Sequence, residues 1–453
     1  MALLCYDAFM SSALDFTYQY AFASRLEASN SNEPIFSLAT CNANHEQPHF
    51  FDGRVRNPKI MADMLLTLSE IVRSHYFLPI PALLDPVLTS NENLLRLEGF
   101  SGCCGVYARV DLPAEFFEGD CHGRGTTNVD FNDPMRRALS RLKEQDEVHF
   151  AVGKNEVALS RGNEVTIEKK VKLPLRWIKS FSEVQAYQPR LNLKMEVSGA
   201  DGLRFIRGLP KNAKPKMPSY IVSAGKSIRL SQRVQKGAVR ILGTHRLKAL
   251  EPLLSRATKL RIWFDDDQGT SGWEVCFPVG SFFLLLSPEI YRGFSGEGQV
   301  LSQLATPPSD DVLALVRAQM TWQSEIHVPE LAKNLGLAED AINSALAIFG
   351  SQGLAGYDAH KGQYFHRELP FDLSLVEAMQ PRLKGARKLL ADNGVTCLDP
   401  KAGMYAVQSN ETVYRVQVSE EKSFCNCPWF SKFQGARGPC KHILAANLFG
   451  EET

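Results

Sequence analysis

The sequence predicts an α+β multidomain chain: a duplicated antiparallel sheet-plus-helix body, a winged-helix domain and a small cysteine-rich module at the C-terminal end. Three observations carry that expectation. A helix followed by three short alternating strands occurs twice, about 113 residues apart. Two helices joined by a glycine turn, then a third helix and a hairpin, occupy residues 306–372. Three of the ten cysteines fall between positions 425 and 440.

The 453 residues exceed one ordinary core and predict about two to four domains. Hydrophobic content of 44% and charged content of 22% are those of a globular chain able to bury sizeable cores. With 51 basic and 50 acidic residues the molecule is near neutral, so any binding to an acidic partner must come from a local patch. The apolar start, Met1 to Leu14, lacks a basic leading segment and carries Asp7, which argues against a secretory signal. No apolar run is long enough to span a membrane. Sparse cysteines exclude a secreted disulfide scaffold, and their clustering reads as a metal site in a reducing cytoplasm.

Residues 1–100 read as mixed structure. Pro58 to Val72 has apolar residues at helical spacing, with Asn57 as cap and Pro58 in the first turn. A proline-rich piece, Leu78 to Pro86, ends it. In the first unit, 101–200, a helix from Asn132 to Glu144 precedes strands around 148–152, 157–159 and 165–173, with turns at Gly153 and Gly162. In the second, 201–305, a helix from His245 to Ala257 precedes strands at 260–264, 273–279 and 282–286. The strings Arg176-Trp177-Ile178-Lys179-Ser180-Phe181-Ser182 and Glu289-Ile290-Tyr291-Arg292-Gly293-Phe294-Ser295 then resemble each other. Duplication explains this. So does the general likeness of any two meanders, and the sequence leaves both open.

Residues 306–372 read as the winged helix: helices at 311–323, 329–335 and 338–349, a short strand at Glu325-Ile326-His327, and a hairpin turning at His360-Lys361-Gly362. The last of these helices presents Glu339, Asp340, Asn343 and Ser344. Two carboxylates at the leading end repel phosphate, which favours docking to protein over reading DNA. Residues 373–453 comprise a basic helix, 375–391, interrupted near Pro381 and carrying Arg382, Lys384, Arg387 and Lys388. Strands at 405–408 and 413–418 and the cysteine cluster come after it.

The cluster reads Cys425-Asn426-Cys427-Pro428, then Gly438-Pro439-Cys440-Lys441-His442. Zinc takes four thiolate or imidazole ligands in a tetrahedron. Residues two apart on an extended segment point the same way, so Cys425 and Cys427 form one jaw, and Pro428 turns the chain aside. Pro439 suits a helix start, which places Cys440 where helix donors and Lys441 favour a thiolate, and His442 completes the second jaw. All four positions are protein ligands, so one zinc ion would be structural. Lys422, Phe424, Trp429, Lys432, Phe433, Arg437 and Lys441 interleave cations with aromatics around it. That suits single-stranded nucleic acid or an acidic protein surface, while Phe424 and Trp429 serve equally as the core of a small hairpin.

This C-x-C and C-x-H arrangement resembles the SWIM zinc finger over about residues 403–450. More broadly the chain resembles the bacterial SWIM zinc-finger family, through Gly102-Cys103-Cys104-Gly105-Val106-Tyr107-Ala108-Arg109, Thr127-Asn128-Val129-Asp130-Phe131-Asn132, Gly293-Phe294-Ser295-Gly296-Glu297-Gly298-Gln299 and Phe365-His366-Arg367-Glu368-Leu369-Pro370-Phe371-Asp372. The resemblance implies zinc binding and association with a MoxR-type AAA+ ATPase and a von Willebrand factor A protein. It brings no catalytic residues.

Other candidates fail. Ala224-Gly225-Lys226-Ser227 imitates the end of a phosphate loop, but Tyr220 stands where the loop needs glycine, and flanking strands make it a hairpin turn. Cys103, Cys104, Cys121 and His122 lack a second matching jaw and read as small buried thiols. Asp265-Asp266-Asp267 precedes a Gly-Thr-Ser-Gly turn and reads as a solvated loop. No nucleophile elbow, zinc-protease or dinucleotide motif occurs, so the expectation is a cytoplasmic, non-enzymatic adaptor, with nucleic-acid binding through the zinc finger and basic helix as the alternative.

Overall fold

A computed structural model describes residues 25–28, 34–37, 49–77, 86–91, 93–118, 124–129, 131–162, 164–170, 173, 175–210, 217–296, 298–301, 308–369, 380–419 and 423–452. The expectations for Met1 to Leu14, most of the Leu78 to Pro86 piece, Cys121, His122, Lys422 and residues 375–379 lie outside these.

After a two-stranded pair, β1 (Arg25–Ala28) and β2 (Pro34–Ser37), the body runs through one local order four times, a helical segment and then three strands. Strand β3 (His49–Val55) leads into α1 (Pro58–Arg73), β4 (Val87–Ser90), β5 (Leu94–Phe100) and β6 (Val106–Pro113). A short β7 (Phe117–Glu118) comes next. Strand β8 (Gly125–Asn128) leads into α2 (Asp133–Ser140), β9 (Val148–Gly153), β10 (Glu156–Arg161) and β11 (Glu164–Lys169). Helix α3 (Leu175–Tyr187) crosses over. Strand β12 (Asn192–Ser198) then leads into α4 (Gly199–Arg207), β13 (Ser219–Ala224), β14 (Ser227–Ser231) and β15 (Val239–Ile241). A 3-10 turn and α5 (Glu251–Leu254) precede β16 (Lys259–Phe264), β17 (Ser271–Cys276) and β18 (Ser281–Leu286).

The strands make antiparallel sheets in the orders β11-β10-β9-β3-β7, β12-β16-β17-β18-β6-β5-β4-β8 and β14-β13-β15. The eight-stranded sheet closes through β18 on β6, with Phe282 opposite Val110 and Leu284 opposite Ala108. The boundary expected after residue 100 therefore falls inside the β5–β6 hairpin, and the one after 200 falls inside α4. Ladder hydrogen bonds run across the first, and β3 pairs with β9, so β3 and β5 are not separable from the rest of the body. Helix α1 buries Met61, Leu65, Leu68 and Val72, and Gly99 on β5 lets it approach, since a Cβ there would stand 2.8 Å from Val72.

The two look-alike strings fold differently. Residues 176–182 lie in α3, whereas 289–295 form an open segment ending in a short 3-10 turn, Phe294–Gly296. Both nonetheless deliver a phenylalanine to Phe100: Phe181 at 4.9 Å and Phe294 at 6.4 Å between ring centroids. The helix expected over 245–257 is the 3-10 turn Thr244–Leu250 and the four-residue α5, because Gly243 enters it left-handed and Pro252 lacks the donor to continue the ladder. The Ala224-Gly225-Lys226-Ser227 stretch is the β13–β14 turn, with Gly225 at φ 64°.

Residues 310–366 fold as α6 (Asp310–Ala318), α7 (Val328–Leu335), α8 (Glu339–Ser351) and the hairpin β19 (Ala355–Asp358) and β20 (Gln363–His366), around Val316, Ile342, Leu346, Phe349 and Tyr364. The expected strand at 325–327 is one bridge, Ile326 to Tyr364. This unit is bolted to the body. Helix α8 lies on α3, where Ser182 donates to the Ser351 carbonyl at 2.5 Å. The hairpin lies on β5 and β6, where Asp358 receives Arg96 at 2.8 Å and Arg109 at 3.0 Å. Arg367 pairs with Glu98 beside them, and Arg96 lies 3.7 Å from the Phe365 ring centroid.

The C-terminal module comprises α9 (Pro381–Ala391), β21 (Val395–Asp399), β22 (Met404–Ser409), β23 (Thr412–Gln417), β24 (Phe424–Cys425), α10 (Pro428–Phe433) and α11 (Lys441–Glu452). Two strands are expected here and four are present, in the order β21-β22-β23-β24. Among the described residues no helix is long and apolar enough to cross a membrane.

Candidate metal centre

The metal centre is assembled from two helix starts and one strand. Cys425 ends β24, Cys427 caps α10, Cys440 immediately precedes α11, and His442 stands in its first turn. Pro428 does more than divert the chain: it is the first residue of α10, a position where its missing donor costs nothing. The Phe430 N–H donates to Cys427 Sγ at 3.4 Å, and the Ile443 N–H to Cys440 Sγ at 3.5 Å. Each jaw thus has a sulfur that satisfies an orphan helix donor, and such bonds favour the thiolate. A Cys-Pro pair before a helical run was the signal for α10.

The four ligand atoms lie within 4.8 Å of one another, and all four residues are buried. Cys425 Sγ is 3.8 Å from His442 Nδ1. A zinc tetrahedron with ordinary bond lengths has edges of about 3.5–3.8 Å, so the donor set fits zinc in kind, number and spacing. The His442 ring stacks on Tyr414, centroids 4.2 Å apart, which fixes the direction of its nitrogens. The hydrophobic shell is Val407, Val416, Phe430, Ile443 and Leu444.

The thiols do not share protons evenly. Cys440 is held down to about 4, chiefly because the Cys425 thiol donates to it, with His442 and the Ile443 N–H adding. Cys425 is pushed far up by the same hydrogen bond and by burial, and Cys427 is raised by burial. Zinc binds the thiolate forms, so its entry should release thiol protons, and affinity should fall as pH falls. Calorimetric titration in buffers of different ionisation enthalpy counts them, and release of none would overturn the three-thiolate assignment.

The surrounding candidates have divided roles. Arg382 is turned inward: its Nη1 donates to the carbonyls of Arg437 at 2.6 Å and Pro439 at 2.8 Å. Arg382 and Arg437 both lie over Trp429, at 4.7 and 5.1 Å from its ring centroid. Lys441 donates to Ser409 at 2.9 Å. Lys432 and Arg387 are exposed, and Phe424 is 53% exposed. Cys103 and Cys104 are buried in the body, where Cys103 Sγ accepts from the Tyr76 N–H at 3.4 Å.

One joint escaped the sequence reading. Gly298 and Gln299 join the module to the body. A Cβ on Gly438, at φ 69°, would stand 1.9 Å from the Gly298 carbonyl oxygen, and one on Gly298 would strike Arg382. The Gln299 N–H donates to buried Glu183 at 2.9 Å, and its side chain donates to the Gly435 carbonyl at 3.3 Å. The glycine spacing in 293–298 was the available signal, but nothing local says what it faces.

Residues 414–449 match the model of the SWIM zinc finger family. No curated protein matches the chain. Among solved structures, a PCNA2–PCNA3 complex from Sulfolobus tokodaii is similar at a TM-score of 0.38 and 13% identity, over 53% of this chain and 100% of that one. Proliferating cellular nuclear antigen from Entamoeba histolytica gives 0.37 and 9%, over 53% and 99%.

Proposed function

We propose that this chain is a cytoplasmic, non-enzymatic protein-interaction adaptor whose SWIM-type zinc finger holds a partner-facing surface in shape. The partner class is an AAA+ ATPase-linked assembly, a MoxR-type ATPase or a von Willebrand factor A protein. The observation that carries the reading is the closed cluster: four buried protein ligands fill a zinc tetrahedron and leave no position for a substrate or a reactive water. Such an ion shapes a surface.

The unit at 310–366, taken as a winged helix, supports docking to protein. Its wing, β19–β20, is occupied by the body through Asp358 and the two arginines. The leading turn of α8 is exposed and acidic, with Glu339 and Asp340. Nucleic-acid binding by the zinc finger and the 382–388 helix remains the second reading, favoured by exposed Lys384 and Lys388 on one face of α9.

Capture from native extract with the tagged chain, with and without chelator, separates the two. Zinc-dependent recovery of an ATPase or von Willebrand factor A protein is expected. Recovery of nucleic acid alone, lost on chelation and lost steeply as salt rises, would replace the adaptor reading with the second one.

A further inference from the structure

Residues 202–250 hold twelve of the chain's 51 lysines and arginines and none of its 50 carboxylates. The near-neutral total conceals this. Lys211, Lys214 and Lys216 lie outside the described residues. Arg204 and Arg207 are already paired, with Asp201 at 2.6 Å and Glu251 at 3.0 Å. Arg246 is buried and donates to the carbonyls of Gly105, Leu242 and Ser287. Arg240 and Lys248 are half-buried.

Four exposed cations remain on the β14-β13-β15 sheet. Lys226 tips the β13–β14 turn, Arg229 lies within β14, and Arg233 and Lys236 stand in the loop from β14 to β15. None of the four is held by an ion pair among the described residues. Register places Arg229 opposite Val222 and Ser231 opposite Tyr220, so Arg229 and Tyr220 share one face. Ile221, Leu230 and Val239 share the other, and Ile221 and Val239 are fully buried there.

We propose that this surface binds the phosphodiester backbone of nucleic acid. Unpaired cations on one strand face and in the loops at its two ends match an extended ligand that carries negative charge along its length, and binding releases its counterions. Guanidinium groups at two of the four positions suit phosphate oxygens, and a neighbouring tyrosine can support a sugar or base. A lipid surface fits less well. Val234 is 74% exposed, but its loop neighbours Gln232, Arg233, Gln235 and Lys236 are polar, too little apolar face to enter a bilayer. The site lies apart from the zinc ligands in sequence and uses none of them, so it stands or falls separately from the adaptor reading.

The test is fluorescence anisotropy with the full chain and labelled single-stranded and duplex DNA of equal length, from about 50 mM salt upward. The wild type should bind and weaken steeply with salt. A variant combining Lys226→Glu, Arg229→Glu, Arg233→Glu and Lys236→Glu should bind at least about tenfold more weakly, with the duplex salt slope reduced by about three to four. Lys143→Glu with Lys169→Glu, exposed cations elsewhere on the body, should leave binding at the wild-type level, as should chelation of zinc. If the combined variant unfolds, Arg233→Gln and Lys236→Gln singly should each lower the slope by about one. Absence of wild-type binding at low salt, or wild-type affinity in the charge-reversed chain, overturns the proposal. Binding to phosphatidylserine vesicles without binding to DNA does so too, and reassigns the patch to membrane.

Discussion

Cys440→Ser should reduce the zinc content of the purified chain from one equivalent to none and abolish hydrogen-exchange protection across residues 381–452. The module's core is built around its ligands: Cys425, Cys427 and Cys440 lie among Val407, Val416, Phe430 and Leu444. Structural zinc contributes about 10–16 kcal/mol in comparable small modules, far more than so small a core supplies. The body should stay folded, because its large core around α1, Trp177 and Trp273 does not include the ligands. Chelation should reproduce the effect. Cys397→Ser is the control: Cys397 lies on β21 outside the cluster, and its replacement should leave zinc content unchanged. Full zinc stoichiometry in Cys440→Ser would falsify the ligand assignment.

The second large effect is expected at Asp358→Asn, a change that keeps side-chain volume and an acceptor for the His360 and Lys361 N–H groups while removing the charge. Arg96 and Arg109 are each 1% exposed, and they share Asp111 and Asp358 between them. Removing one carboxylate leaves a buried excess of positive charge, which costs about 3–5 kcal/mol. Burial alone would raise the Asp358 carboxyl, but Arg109 and then Arg96 outweigh it and hold it well below the usual carboxylate range. A depressed folded-state value means the wild type keeps this stabilisation above about pH 4 and loses it as pH falls further. The gap between wild type and variant should therefore be wide at pH 7 and narrow in acid. Thermal unfolding at several pH values measures it, and a gap that does not change with pH would show the charge to be irrelevant.

The fold was legible where its signals are local. Helix α1 announces itself through Asn57, Pro58 and an apolar stripe, and α7 through the left-handed Gly336 that closes it. The clustering of Cys425, Cys427, Cys440 and His442 was legible for the same reason: a two-residue spacing in an extended segment sets one jaw without help from distant parts. Strand β21 was missed although Val395-Thr396-Cys397 alternates, because three residues and a bulge make a weak pattern. The basic surface on β13–β15 was countable in the sequence but cancelled in the total charge.

The arginines show where local reading stops. Arg96 and Arg109 sit on alternating strands and look like solvated charges, yet Asp358, which neutralises both, lies more than 240 residues away. Gly298 and Gly438 are turn residues to the sequence, and in space they are the point where module and body touch. By itself the sequence determined helices such as α1, α2, α7 and α8, the strand order of the β9–β11 and β16–β18 meanders and the clustering of Cys425, Cys427, Cys440 and His442, since hydrogen-bond periodicity and ligand spacing act within a few residues. Only the tertiary structure decided which meanders share a sheet, that the β19–β20 hairpin is spent on the body, and which charges are buried. Those outcomes depend on desolvation and pairing between distant segments, and no short stretch of chain carries that information.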